Sequence, residues 1–98
     1  MPSEEVTKLI EEAIRERLVL RVTYQATDGT VAAHVIEPLA IRFNHAKHRV
    51  LWCWSRDDGH IEELLWDGVQ GAVATGEGFA PRPWVDPEAE GWEGRFRS

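Results

Sequence analysis

The chain has a single cysteine, a single tyrosine and a single methionine, and its basic groups are outnumbered by acidic ones, 11 against 17. One cysteine, Cys53, excludes an intrachain disulfide and any cysteine-based metal cluster built from one copy. It lies in the strand-like stretch Val50-Leu51-Trp52-Cys53-Trp54, where a buried, inert thiol is expected. No apolar run approaches the roughly 18 residues that a membrane span needs, so no membrane association is expected. Met1-Pro2-Ser3-Glu4-Glu5 has neither the basic start nor the apolar middle of a signal peptide, which makes the cytoplasm the expected compartment. No internal repeat is visible. Gly71, Gly76 and Gly78 do not have the spacing of a dinucleotide or phosphate loop, and no Walker lysine is present. Ser55 lies near a turn without a glycine elbow. Glu62 and Glu63 are neighbours on a strand and point to opposite faces, so they make a poor acid–base dyad. No catalytic constellation remains, and the expectation is a non-enzymatic protein with no cofactor.

The net charge of −6 repels a phosphate backbone unless a local basic patch outweighs it. Arg21, Arg42, Lys47 and Arg49, all within residues 18–55, are the candidates for such a patch. Four histidines, at 34, 45, 48 and 60, invite a metal reading. His45 and His48 have a spacing compatible with zinc, and Asp57, Asp58 or His60 could add a third ligand. Solvated loop histidines are the simpler reading, and no metal site is assigned.

What is present reads as one domain. Val6, Leu9, Ile10, Ala13 and Ile14 fall on one helical stripe, Ser3 suits an N-cap, and Glu4 and Glu5 complement the helix dipole. A helix over 4–17 is predicted. The period then switches from 3.6 to 2. Leu18 to Ala26 reads as a strand, Asp28-Gly29 as a turn, and Thr30 to Glu37 as the returning strand. Pro38 lacks a donor and should end that strand or lie at an edge. Leu39 to Phe43 reads as a short extended piece. Arg49 to Ser55, His60 to Trp66 and a weaker Val69 to Ala74 follow, with a turn at Asp57-Asp58-Gly59. Five or six short strands with even turns predict a small barrel or a strongly curled sheet.

Five tryptophans are the unusual element. Trp52 and Trp54 share a face by period 2, and Leu51 and Cys53 make the opposite face apolar too. One face should fill the interior. The other should meet the helix, the C-terminal segment or a second subunit, and exposed aromatics favour interfaces. From Gly76 onward the composition changes. Residues 77–98 carry prolines 81, 83 and 87 together with Phe79, Trp84, Trp92 and Phe96. A solvated tail seldom needs such aromatics, so an ordered strap over the barrel or over a partner chain is expected, with a disordered tail as the alternative.

Ala13-Ile14-Arg15-Glu16-Arg17, Leu20-Arg21-Val22-Thr23-Tyr24, Asp28-Gly29 and Val35-Ile36-Glu37-Pro38-Leu39 resemble the opening of the WYL domain. The second half agrees in outline, so the resemblance covers roughly residues 9–75. It implies an N-terminal helix packed on a small five-stranded Sm-like or SH3-like β-barrel, with helix 4–17 and barrel 18–75 forming a domain over residues 1–76. It also implies a ligand-sensing or protein-interaction role of the kind found in bacterial transcriptional regulators. Such domains usually follow a helix-turn-helix and are thought to sense ligands, in several cases nucleic acid or nucleotides, through a basic and aromatic surface. The namesake Trp-Tyr-Leu position reads His48-Arg49-Val50 here, and Glu62, Leu65 and Gly68 stand where ligand-facing arginines are usual. Phosphate recognition needs positive charge or oriented donors, so the resemblance carries the scaffold further than the polyanionic ligand. The candidate ligand-facing residues are Arg21, Tyr24, His34, Arg42, His48, Arg49, Trp52 and Trp54. The expected partner is a second copy or a separate regulator protein, with an unknown small ligand. Binding of single-stranded nucleic acid or nucleotides is the alternative.

Overall fold

The computed structural model describes residues 2–84. Helix α1 spans Glu4–Glu16, and Ser3 caps it by accepting a hydrogen bond from the Val6 amide at 3.2 Å. It ends one residue earlier than the periodicity predicts. Arg17 adopts a left-handed conformation (φ 58°) and its N–H bonds back to the Ala13 carbonyl, a helix-ending geometry more often filled by glycine. That bend turns the chain at once into β1, Leu18–Gln25.

The strands that follow are β2 (Val31–Phe43), β3 (Arg49–Ser55), β4 (His60–Leu65) and β5 (Val69–Gly78). They form one antiparallel sheet of order β4-β3-β2-β1-β5. Pro38 does not end its strand, contrary to expectation. β2 runs through it, and the two halves serve different neighbours. Val31 to Ile36 pair with β1, whereas Ile36 to Phe43 pair with β3. Pro38 sits just past the β1 ladder, next to a register shift between Pro38 and Ala40. There its missing N–H disturbs little, and the irregularity lets one strand bend between two neighbours.

The expected barrel does not close. Among the described residues β4 and β5 are the two edges, and no ladder joins them. The sheet is nonetheless strongly curled, because only a 3₁₀ turn, Trp66–Gly68, carries the chain from one edge to the other. Trp66 belongs to this turn rather than to β4 as predicted. β5 also runs beyond Ala74, since Leu18 of β1 pairs with Gly78 after a register shift.

The core lies between α1 and the concave face of the sheet. Ile10 and Ala13 of the helix stripe meet Leu20, Val22, Ile36, Leu51, Cys53, Leu64, Trp66 and Val69. Ile10, Leu20, Val22, Ile36 and Leu51 have no exposed surface. At roughly 1.5–3 kcal/mol for each large apolar side chain fully buried, this cluster is the main stabilising feature. Cys53 is buried within it, and burial together with the charge of Glu62 pushes its thiol up to about 12, which leaves it protonated and unreactive at neutral pH. Among the described residues no helix is long and apolar enough to cross a membrane.

Candidate functional site

The opposite face of the sheet is built differently. Period 2 puts Glu37 on the other side from Ile36, and the register sets it across from Trp54. Among the described residues Glu37 is the charged residue that is fully buried, at 0% exposure. An unpaired carboxylate there would be costly, and two arginines pair with it. Arg56, just past β3, donates from Nε to Oε2 at 2.7 Å. Arg82 donates from Nε to Oε1 at 2.6 Å and from Nη2 to Oε2 at 3.1 Å, a bidentate fork. Burial alone would raise the Glu37 carboxyl, but the hydrogen bonds and charges of Arg82 and Arg56 outweigh it and hold the group below its ordinary value. Arg56 also reaches Glu77 of β5 at 2.7 Å, so the network runs Glu77–Arg56–Glu37–Arg82.

Arg82 reaches this site on the segment that leaves β5. The Phe79 amide donates to the Arg17 carbonyl at 2.9 Å, the group turned outward by the left-handed bend after α1. The chain then crosses Pro38 and Leu39. It sets the Arg82 guanidinium carbon 4.3 Å from the Trp54 ring centroid and the Trp84 ring 6.2 Å from that of Trp52, tilted by 39°. A groove of about 190 Å³ remains between Ile14, Pro38 and Leu39 on the body and Phe79, Pro81 and Trp84 on the strap. Beside this groove, the Glu37 carboxylate and the Trp52 and Trp54 rings form a second feature, a cleft filled and covered by the same segment of the chain. The aromatics Trp92 and Phe96, also expected in a strap, lie outside the described residues.

Of the eight candidate ligand-facing residues, Trp52 and Trp54 belong to this cleft, Arg21 and Arg42 share its face of the sheet by register, and the other four lie elsewhere. Arg21 is exposed on β1, between Val35 of β2 and Val73 of β5. Tyr24 and His34 meet edge to face, with centroids 6.0 Å apart at 75°. The Tyr24 hydroxyl accepts the Leu65 amide at 3.1 Å, which ties the end of β4 to β1. Tyr24→Phe is therefore expected to lose about 1 kcal/mol in urea unfolding, as a structural tyrosine would. Arg42 is half-buried and donates to the carbonyl of neighbouring Ile41 at 2.9 Å. His48 is exposed in the β2–β3 loop, where its backbone amide bonds Asn44. Arg49 lies over Trp66, 4.7 Å from the ring centroid.

Glu37, Arg56 and Arg82 were not singled out by the sequence. Glu37 carried one available signal, a charged residue held between Ile36 and Pro38 in an otherwise apolar step. Its partners lie 19 and 45 positions away, and no local pattern announces them.

The histidines do not gather as the loop spacing proposed. His60 instead joins Asp58 and Glu62, with potential ligand atoms within 4.8 Å of one another. Asp58 and His60 are exposed. Partial burial and then the hydrogen bond and charge of Asp58 raise the Glu62 carboxyl. These three are the described side chains placed to share a cation. Ser55 is buried and its hydroxyl accepts the Asp58 amide at 3.0 Å, a turn-stabilising role.

No protein-family model matches the chain, and no curated protein matches it by sequence. The fold has a solved counterpart. The structure is similar to that of Proteasome accessory factor B/C (PafBC) of Arthrobacter aurescens, with a TM-score of 0.70 and 17% identity over 82% of this chain. The match spans 13% of the length of PafBC. At that identity the likeness is one of fold, and it supports a WYL-like architecture of one helix and five antiparallel strands.

Proposed function

We propose that the chain is a non-enzymatic ligand-sensing or protein-interaction module of the WYL type, built on an open variant of the small Sm-like or SH3-like barrel. PafBC is a transcriptional regulator containing a WYL domain, and the shared fold supports a regulatory sensing role. The observation that carries the reading is the Glu37 cleft: a buried carboxylate and two tryptophans, which a core does not require, lie under a segment held mostly by side chains. Arg82 is 38% exposed, and Ala80, Pro81 and Pro83 are exposed as well. Among the described residues the segment after Gly78 makes one backbone hydrogen bond to the body. Such a segment opens locally at little cost compared with the core, which suits an element that moves when the cleft is engaged. The expected partner, a second copy or a separate regulator protein, would then meet the strap or what it uncovers. Nucleic acid is less favoured as the ligand. The cleft is built around the Glu37 carboxylate, which repels phosphate, and Arg49, one of the arginines proposed for a basic patch, lies over Trp66 of the core.

Hydrogen exchange tests the reading. The amides of Phe79, Ala80, Arg82 and Trp84 should exchange orders of magnitude faster than those of β3. Protection equal to that of Leu51 and Cys53 would make the segment a permanent part of the core and would overturn a sensing role for the cleft.

A further inference from the structure

We infer that the Glu37 cleft is a guanidinium-binding site that Arg82 fills as an internal stand-in, and that the ligand of the module carries a guanidinium group. The inference rests on the reading of the cleft as the sensing site and names the chemistry it selects.

Charge balance is the first argument. With Arg82 in place, Glu37 and Glu77 face Arg56 and Arg82, two charges of each sign. When the strap lifts, the buried Glu37 carboxylate keeps Arg56, which it shares with the exposed Glu77, and its Oε1 loses the donor that Arg82 supplied. The shape of the vacated position decides which cation. Glu37 offers Oε1 and Oε2 in the plane that a two-pronged donor matches, as Arg82 demonstrates at 2.6 and 3.1 Å. Arg56 already occupies the other side of Oε2, which fixes the carboxylate before the ligand arrives. The guanidinium carbon lies over the Trp54 ring, 4.3 Å from its centroid. A planar, weakly hydrated guanidinium satisfies the carboxylate and the indole together, whereas a compact ammonium makes a point contact and stays more strongly hydrated. Trp52, next along the same face, presents its ring to Trp84, so the site extends to an aromatic group two residues beyond the arginine. Free guanidinium compounds and an arginine side chain on a peptide share the recognised group, and the extension separates them.

The test uses the full-length chain with Arg82→Ala, which leaves Glu37, Arg56 and both tryptophans in place. Methylguanidinium at millimolar concentration should raise the melting temperature of the variant saturably and recover most of the loss caused by the substitution. Methylammonium at the same concentration should not. Adding Trp54→Ala to the variant should weaken the methylguanidinium effect several-fold. Acetyl-Arg-Pro-Trp-amide, which copies Arg82-Pro83-Trp84, should bind at least tenfold more tightly than methylguanidinium if the natural ligand is a peptide segment. Equal affinity assigns the site to a small guanidinium compound, and both results uphold the inference. If Arg82→Ala does not fold, the wild-type chain gives the answer: methylguanidinium, and not methylammonium, should accelerate hydrogen exchange at Phe79 to Trp84 by displacing the strap. Equal responses to the two cations in these measurements would overturn the inference. Fast strap exchange with no preference for guanidinium would reject the ligand class and leave the sensing reading intact.

Discussion

Replacing both Arg56 and Arg82 with alanine should destabilise the protein by about 3–5 kcal/mol at neutral pH, the usual cost of stripping a buried charge of its partners. The loss falls on Glu37, which is fully buried. The arginines contribute less themselves, because their side chains are 31% and 38% exposed and can return to water. Arg82→Ala alone should therefore cost less than the double change, since Arg56 still pairs with the carboxylate at 2.7 Å. Adding Glu37→Leu to the double variant should restore much of the loss, as a buried ion pair can often be exchanged for apolar packing. Urea unfolding of the single, double and triple variants measures each of these steps. With a domain stability of roughly 5–15 kcal/mol, the double variant should lie near the threshold of folding, and the triple variant well inside it.

The pH dependence should change sign between the wild type and the double variant. In the wild type the arginines hold the Glu37 carboxyl below its ordinary value. Its contribution is then present above the unfolded-state value, about 4.3, and is lost as the pH falls through the lowered native value. Without the arginines, burial acts alone and raises the carboxyl. The native state then takes up a proton more readily than the unfolded chain, so stability falls as the pH rises through the raised value. The deficit of the double variant should be full near neutrality and should shrink as the pH approaches about 4.3. A deficit that stays constant over that range would mean that Glu37 gains water once the arginines are gone.

The parts of the fold that were legible in the sequence are those specified by neighbours along the chain. The helix stripe, the Ser3 cap, the Asp28-Gly29 turn and the alternation of β3 each depend on residues within a turn or a strand. The path of β2 was not legible, because Pro38 is a local stop signal and only the two-sided pairing of a long strand shows why it is tolerated. Trp66 looked like a strand residue because it follows Leu64-Leu65. Its place in a 3₁₀ turn is decided by the need to cross between the two sheet edges in three residues. The candidate site was half legible. Trp52 and Trp54 were identified by type and period, but Glu37 looked like an ordinary polar residue in alternation. Its burial is produced by a segment more than forty positions later in the chain, and that kind of cover leaves no periodic trace. The surroundings of the basic residues were not legible either. Positive charge marks a side chain as available without saying what it meets: the structure places Arg49 over Trp66 and leaves Arg21 exposed opposite Val35.

Gly68→Ala should cost about 2–3 kcal/mol, at the upper part of the range for an overpacked core position. A methyl group at residue 68 would lie 2.5 Å from the Gln25 carbonyl oxygen and 2.7 Å from Cε1 of Tyr24. Neither neighbour can easily retreat. The carbonyl belongs to the end of β1, which is held by β2 on one side and by β5 on the other. The ring is fixed by its hydroxyl, which accepts the Leu65 amide. Relief therefore requires the 3₁₀ turn to lift away from β1, and that loosens Val69, which is fully buried in the core. Gly68→Ala combined with Tyr24→Ala should lose less than the sum of the two single changes, because the truncated ring frees part of the space the methyl needs, while the Gln25 carbonyl still opposes it. Strict additivity in a double-mutant cycle would show that the backbone contact alone sets the cost. The same geometry bears on function. Residue 68 stands where the WYL resemblance places a ligand-facing arginine, and at this seam there is no room even for a methyl group. The 3₁₀ turn packs tightly on β1 here because that side chain is absent, and Glu37, the fully buried acid among the described residues, lies on the other face with Trp52 and Trp54.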